Sequence, residues 1–112
     1  MGIDILAFGA HPDDVELGCS GTISKAVLEG KKVGIIDLTS GEMSTRGTVD
    51  KRAKEAQDSA ELLGVKFREN MNFKDAFIFN DEIHQRKLIS VIRRHMPEIV
   101  LCNAVKDRHT DH

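Results

Sequence analysis

The chain has 112 residues, 40% of them apolar and 30% charged, with a formal net charge of −2, which bounds it to one domain with a real core. That charge leaves no electrostatic footprint for nucleic acid or an anionic membrane, and the lack of Trp and Tyr beside five scattered Phe offers no stacking platform for single strands. No apolar run approaches the ~20 residues of a membrane span, and the opening MGIDILAFGAHPDD has no basic leader, so a cytoplasmic protein without nucleic-acid or membrane partners is expected.

Ile3 to Phe8 is an apolar run broken by Asp4 and reads as the first strand. Residues 15–29 follow as a helix with Leu17, Ile23, Ala26 and Val27 apolar, and Gly30 is its stop. KVGIIDLT (32–39) is a β-branched run and reads as a buried strand. SGEMSTRG (40–47) is a polar, glycine-bounded loop. In the next helix, 48–63, Val49, Ala53, Ala56, Ala60 and Leu63 recur at steps of three and four, and Gly64 ends it. VKFREN is a short strand whose charges place it near an edge. Asn80 or Asp81 caps a third helix with Ile83, Leu88, Val91 and Ile92 as its apolar face, stopped before Pro97. EIVLCN (98–103) is a further buried strand. Cys19 and Cys102 form no CxxC pair and read as two reduced, buried thiols.

This alternation predicts an α/β fold: a Rossmann-like, mostly parallel sheet with helices on both faces. The sequence stops at DRHTDH directly after an apolar strand, with no closing helix. A single α/β domain over 1–112, incomplete at its C-terminus, is therefore expected. In such sheets ligands bind outside the carboxyl ends of the strands. The polar segments 9–14, 40–47 and 104–112 all fall at that edge.

His11 and Asp14 stand three apart in the first strand-to-helix turn, so both side chains can converge on one point. An imidazole and a carboxylate suit Zn²⁺, which in catalytic sites takes three protein ligands and keeps one position open for water. Pro12 stiffens the turn, and Asp13 remains available to take a proton from water. Taken alone, HPDD also reads as a turn with an Asp helix cap. A second cluster, RHTDH, follows a strand of the same sheet. Its spacing lets one histidine bind metal while the other faces the reacting group.

The stretches AHPDDVELGCSGTI, TSGEMSTRG and HTDH resemble the PIG-L/LmbE-like family of zinc-dependent N-acetylglucosaminide deacetylases. GEMSTRG and the helix KRAKEAQDSAELLGV look most like its bacillithiol-pathway members, which act on N-acetylglucosaminyl malate. The resemblance implies a metal held by His11, Asp14 and His112, with Asp13 as general base. It implies His109 as oxyanion stabiliser or acid for the leaving amine, and Asp111 as a residue that tunes a neighbouring histidine. It further implies Arg46, at the site edge, on a carboxylate such as malate's, with Arg52 and Asp75 also on the substrate. Otherwise these three are surface charges, Arg52 pairing with Glu55 along its helix. The implied partner is a small amino-sugar substrate, and the implied assembly a homo-oligomer.

Thr110 stands where the family often has proline, which keeps every ligand. Glu16 and Glu42 are assigned no role, and His84 and His95 are placed on the surface or rim of their helix. Fe²⁺, Co²⁺ or Ni²⁺ would also suit a His₂Asp site. Two alternatives stand beside the malate reading: a deacetylase of another GlcNAc conjugate, or a catalytically silent metal-binding fragment. A nucleotide-binding Rossmann module is disfavoured because GAHPDD is not G-x-G-x-x-G, and two carboxylates would repel a pyrophosphate.

Overall fold

Apolar runs alternate with amphipathic stretches along the chain, and each run becomes a strand of one sheet. The computed structural model describes residues 2–40, 49–73 and 81–102. In chain order they form β1 (Ile5–Gly9), α1 (Asp14–Leu28), β2 (Val33–Thr39), α2 (Val49–Leu63), β3 (Phe67–Phe73), α3 (Glu82–His95) and β4 (Ile99–Leu101). The sheet is parallel, with strand order β3-β2-β1-β4. The expected fold class is the one observed.

Side chains alternate across the sheet with period two. Ile5, Ala7, Val33 and Ile35 pack under Val15, Ile23 and Ala26 of α1, with Leu63 at the end of α2. On the opposite face Leu6 and Ile36 meet Val91 of α3, joined by Phe8, Leu38, Phe67 and Met71. Leu6, Ile35 and Ile36 have no exposed surface. Gly30 and Gly64 end α1 and α2 at φ +86° and +74°, a left-handed conformation that favours glycine. Asp81, not Asn80, caps α3, its side chain accepting from the His84 N–H at 2.9 Å.

Several expectations need correcting. β4 was expected to be buried, yet Ile99 and Val100 are 52% and 44% exposed. Among the described residues it is an edge strand with β1 as its sole sheet neighbour. β3 does lie at the other edge, but it runs on to Phe73 through a register irregularity against Asp37–Thr39. The inward stripe of α3 is His84, Leu88, Val91 and His95, whereas Ile83 and Ile92 face outward. Aromatic packing decides this: His95 stacks on Phe67 at 4.2 Å and His84 meets Phe73 edge-on at 4.5 Å. On α2, Ala56 and Ala60 are buried but Ala53 is exposed. Both cysteines are free thiols, Cys19 half-buried and Cys102 exposed, so neither is the buried residue expected. Cys19 also breaks α1, with φ −147° and ψ 21°, inside the Gly18–Gly21 stretch where small residues favour a kink.

The topology fixes where a ligand can sit. From β1 the chain winds outward through β2 to β3, then returns to place β4 on the other side of β1. The order reverses between β1 and β4, and the crevice of an open α/β sheet lies outside the carboxyl ends of the strands at such a point. Ala7 pairs with Leu101, so the chain leaves β4 beside the end of β1. No described helix is long and apolar enough to cross a membrane.

Candidate active site

β1 ends at Gly9, and the chain turns through Ala10, His11, Pro12 and Asp13 into α1. The turn folds back tightly. A Cβ on Gly9 would lie 3.0 Å from the Asp14 Cβ and 3.1 Å from Val15 Cγ2, so a larger residue would push the start of α1 away. Both the Thr39 N–H and its hydroxyl donate to the Ala10 carbonyl, at 3.0 and 2.8 Å, tying the turn to the end of β2.

His11 Nδ1 and Asp14 Oδ2 stand 3.6 Å apart, with side chains only 14% and 12% exposed. Two donors of a tetrahedral zinc site with bonds of ~2.05 Å lie about 3.3 Å apart. The imidazole–carboxylate pair therefore fits a metal such as zinc in both chemistry and spacing. Asp14 Oδ2 also accepts the His11 N–H at 3.0 Å, which orients the carboxylate. Asp14 lines a cleft of about 320 Å³ between β1, β4 and α1, together with Phe8, Gly18, Cys19, Leu101 and Cys102.

The helix-cap reading of HPDD fails. Asp13 occupies the cap position of α1 with φ −105° and ψ −6° and makes no side-chain capping hydrogen bond. A residue capping in the usual way has extended φ and ψ and binds the N–H two or three residues on. Asp13 is instead 61% exposed, with Arg52 Nη2 reaching it across from α2 at 3.5 Å. Arg52 thus faces the turn, its side chain 17% exposed.

Behind the turn lies a group that reading the sequence missed. Arg68 of β3, its side chain 1% exposed, grips Asp37 of β2 bidentately: Nε donates to Oδ2 at 2.7 Å and Nη2 to Oδ1 at 2.9 Å. Nη1 and Nη2 also donate to Glu16 of α1 at 2.8 and 3.1 Å, and further bonds reach the carbonyls of Ala56 and Pro12. Arg68 pairs across the sheet with Ile35, so Asp37, two residues on, is its diagonal neighbour on the same face. Burial pushes the Asp37 carboxyl up to about 6 against the opposing pull of Arg68. Burial also works against the charge of Arg68, but its hydrogen bonds to Asp37 and Glu16 prevail and hold it above the usual arginine range. A cavity of about 110 Å³ opens beside this cluster, bordered by Pro12, Ser40, Ala56 and Asn70.

The structure brings together His11, Asp13, Asp14 and Arg52. Arg46, Asp75, His109, Asp111 and His112 lie outside the described residues. Among the described residues no group of three metal-ligating side chains forms, so His11 and Asp14 stand there as a pair.

Residues 6–112 match the family described as PIG-L, GlcNAc-PI de-N-acetylase. The chain is 34% identical to an uncharacterized deacetylase, YaiS, of Escherichia coli, over 96% of this chain and 61% of that one. Among solved structures it superposes on the conserved protein TT1542 of Thermus thermophilus with a TM-score of 0.94 and 42% identity, covering 98% of this chain and 50% of that one. It also superposes on the inhibitor-bound N,N'-diacetylchitobiose deacetylase of Pyrococcus horikoshii, with a TM-score of 0.89 and 29% identity over 99% and 45% of the two chains. The chain thus spans roughly half the length of these relatives.

Proposed function

The chain belongs to the PIG-L family, and from that premise we propose that it carries the catalytic edge of a metal-dependent hydrolase that removes the acetyl group from an N-acetylglucosamine-type sugar conjugate. The observation that carries this reading is the pairing of His11 with Asp14 at the switch point of the sheet, beside a carboxylate, Asp13, that caps nothing. His11, Asp14 and His112 would hold the metal. Zinc suits the donor set best, and Fe²⁺, Co²⁺ or Ni²⁺ suit it as well. Such an ion supplies Lewis acidity, polarising the acetamide carbonyl and acidifying a water molecule.

Asp13 accepts the proton of the attacking water as a C–O bond forms at the acetamide carbon. The C–N bond then breaks, His109 donates a proton to the departing amine nitrogen, and acetate and a free glucosamine amine result. Asp111 orients a neighbouring histidine. Arg52, already 3.5 Å from Asp13, holds the base in place and contacts the substrate. Asp75 accepts from a sugar hydroxyl.

The finer assignment is N-acetylglucosaminyl malate, with Arg46 gripping the malate carboxylate. A second reading, another GlcNAc conjugate, draws on the diacetylchitobiose deacetylase among the structural relatives. Amine release from the malate conjugate, from N-acetylglucosamine and from diacetylchitobiose separates the two. The malate reading predicts the highest kcat/KM on the conjugate, and a KM raised about 10- to 100-fold in Arg46→Ala with kcat little changed, as expected for one lost charge-assisted hydrogen bond. A preference for diacetylchitobiose, or an Arg46→Ala enzyme with unchanged KM, supports the second reading. No amine release from any of the three leaves the chain a silent metal-binding segment.

A further inference from the structure

We infer that Arg68, from between the sheet and helices α1 and α2, is a positioning residue that holds the His11–Asp14 turn in its metal-ligating form; this inference rests on the metal-site reading proposed above. The guanidinium touches no atom expected to contact metal or substrate. It does join β2 through Asp37, α1 through Glu16 and α2 through Ala56 to the Pro12 carbonyl within the turn itself.

Pro12 sits between His11 and the two aspartates. The direction of its carbonyl fixes the peptide plane leading into Asp13, and so the path on which Asp14 returns toward His11. Pro12 has no N–H with which to anchor itself, so the hold on the carbonyl side matters. The Ala10 carbonyl is held in the same way by Thr39. The turn is thus clamped at residues 10 and 12, while Asp14, on its other side, lines the cleft.

Charge makes the same point. Asp13, Asp14, Glu16 and Asp37 crowd one helix start, and mutual repulsion would splay them apart. Arg68 is a cation that does not lose its proton, and its flat fork can serve two carboxylates and two carbonyls together. Lysine, with a compact head and three donors, cannot span that set.

The test compares the full chain with Arg68→Lys and with a charge-free triple variant, Arg68→Met/Asp37→Leu/Glu16→Gln. The triple variant removes all three charges, so that none of them is buried alone. Zn²⁺ affinity is measured by competition with a chromogenic chelator, the visible spectrum is recorded with Co²⁺, and metal-free thermal midpoints are taken in parallel. Outer-shell partners of this kind are worth about 10- to 100-fold in metal affinity. Both variants are expected to lose Zn²⁺ affinity within that range and to give an altered Co²⁺ spectrum. The triple variant should recover the midpoint of the parent without recovering affinity. Wild-type affinity in either folded variant overturns the inference and leaves Arg68 a stabiliser of the fold alone. Absence of Zn²⁺ binding by the parent overturns the metal-site reading itself, and the inference with it.

Discussion

Replacing Asp13 by asparagine should lower kcat for deacetylation by roughly 10²- to 10⁴-fold, the usual worth of a positioned general base, while metal content stays at the parent level. The expectation follows from where the carboxylate sits. Asp13 is 61% exposed at the mouth of the turn and makes no capping bond, so it contributes little to the fold. Asparagine matches its size and keeps a polar group facing Arg52, but cannot take a proton. KM should change little, because the lost function belongs to the transition state rather than to substrate binding. Steady-state kinetics, metal content and a thermal melt on one preparation check the three parts together. Lost metal or a large fall in stability would show Asp13 to be structural.

Asp37→Ala should cost about 3–5 kcal/mol of stability at neutral pH, the range for breaking a buried ion pair and leaving one charge uncompensated. Arg68 retains Glu16, which is 25% exposed, but loses its buried bidentate partner on β2. Urea unfolding at pH 7 measures the difference. The same carboxyl carries a pH dependence of definite sign. Its pKa is about 6 in the folded chain against an ordinary 3.8, so between those values the folded state holds the extra proton. The contribution of Asp37 is therefore fullest below pH 3.8 and declines as the pH rises through about 6. Unfolding of the parent at pH 4, 5, 6 and 7 should contain that slope, and Asp37→Ala should lack it.

The contrast between these two aspartates shows what the sequence made legible. Asp13 belongs to a contiguous stretch, HPDD, whose residue types name their chemistry and whose place after an apolar run puts it at a strand end. The sheet was legible for the same reason, since runs such as KVGIIDLT tolerate little besides a buried parallel strand. Arg68 was not, because its partners lie 31 and 52 residues away along the chain. Only the lone acid in VGIIDLT hinted that a buried counter-charge had to exist.

The face of α3 was misread for a related reason. Hydropathy selects Ile83 and Ile92, but the stripe of His84, Leu88, Val91 and His95 has the same helical period, and on β3 Phe67 stacks on His95 while Phe73 meets His84 edge-on. The exposure of β4 also escaped the sequence, because an apolar run does not reveal whether it has a neighbour on one side or on both.

The central claim is that two clusters about a hundred residues apart, HPDD and HTDH, form one metal site across the switch point of the sheet. Metal analysis of the purified full chain beside His11→Ala and His112→Ala tests it most directly. About one divalent ion per chain in the parent, absent from both variants, is the predicted result. A parent without metal, or a His112→Ala variant that keeps it, would contradict the claim.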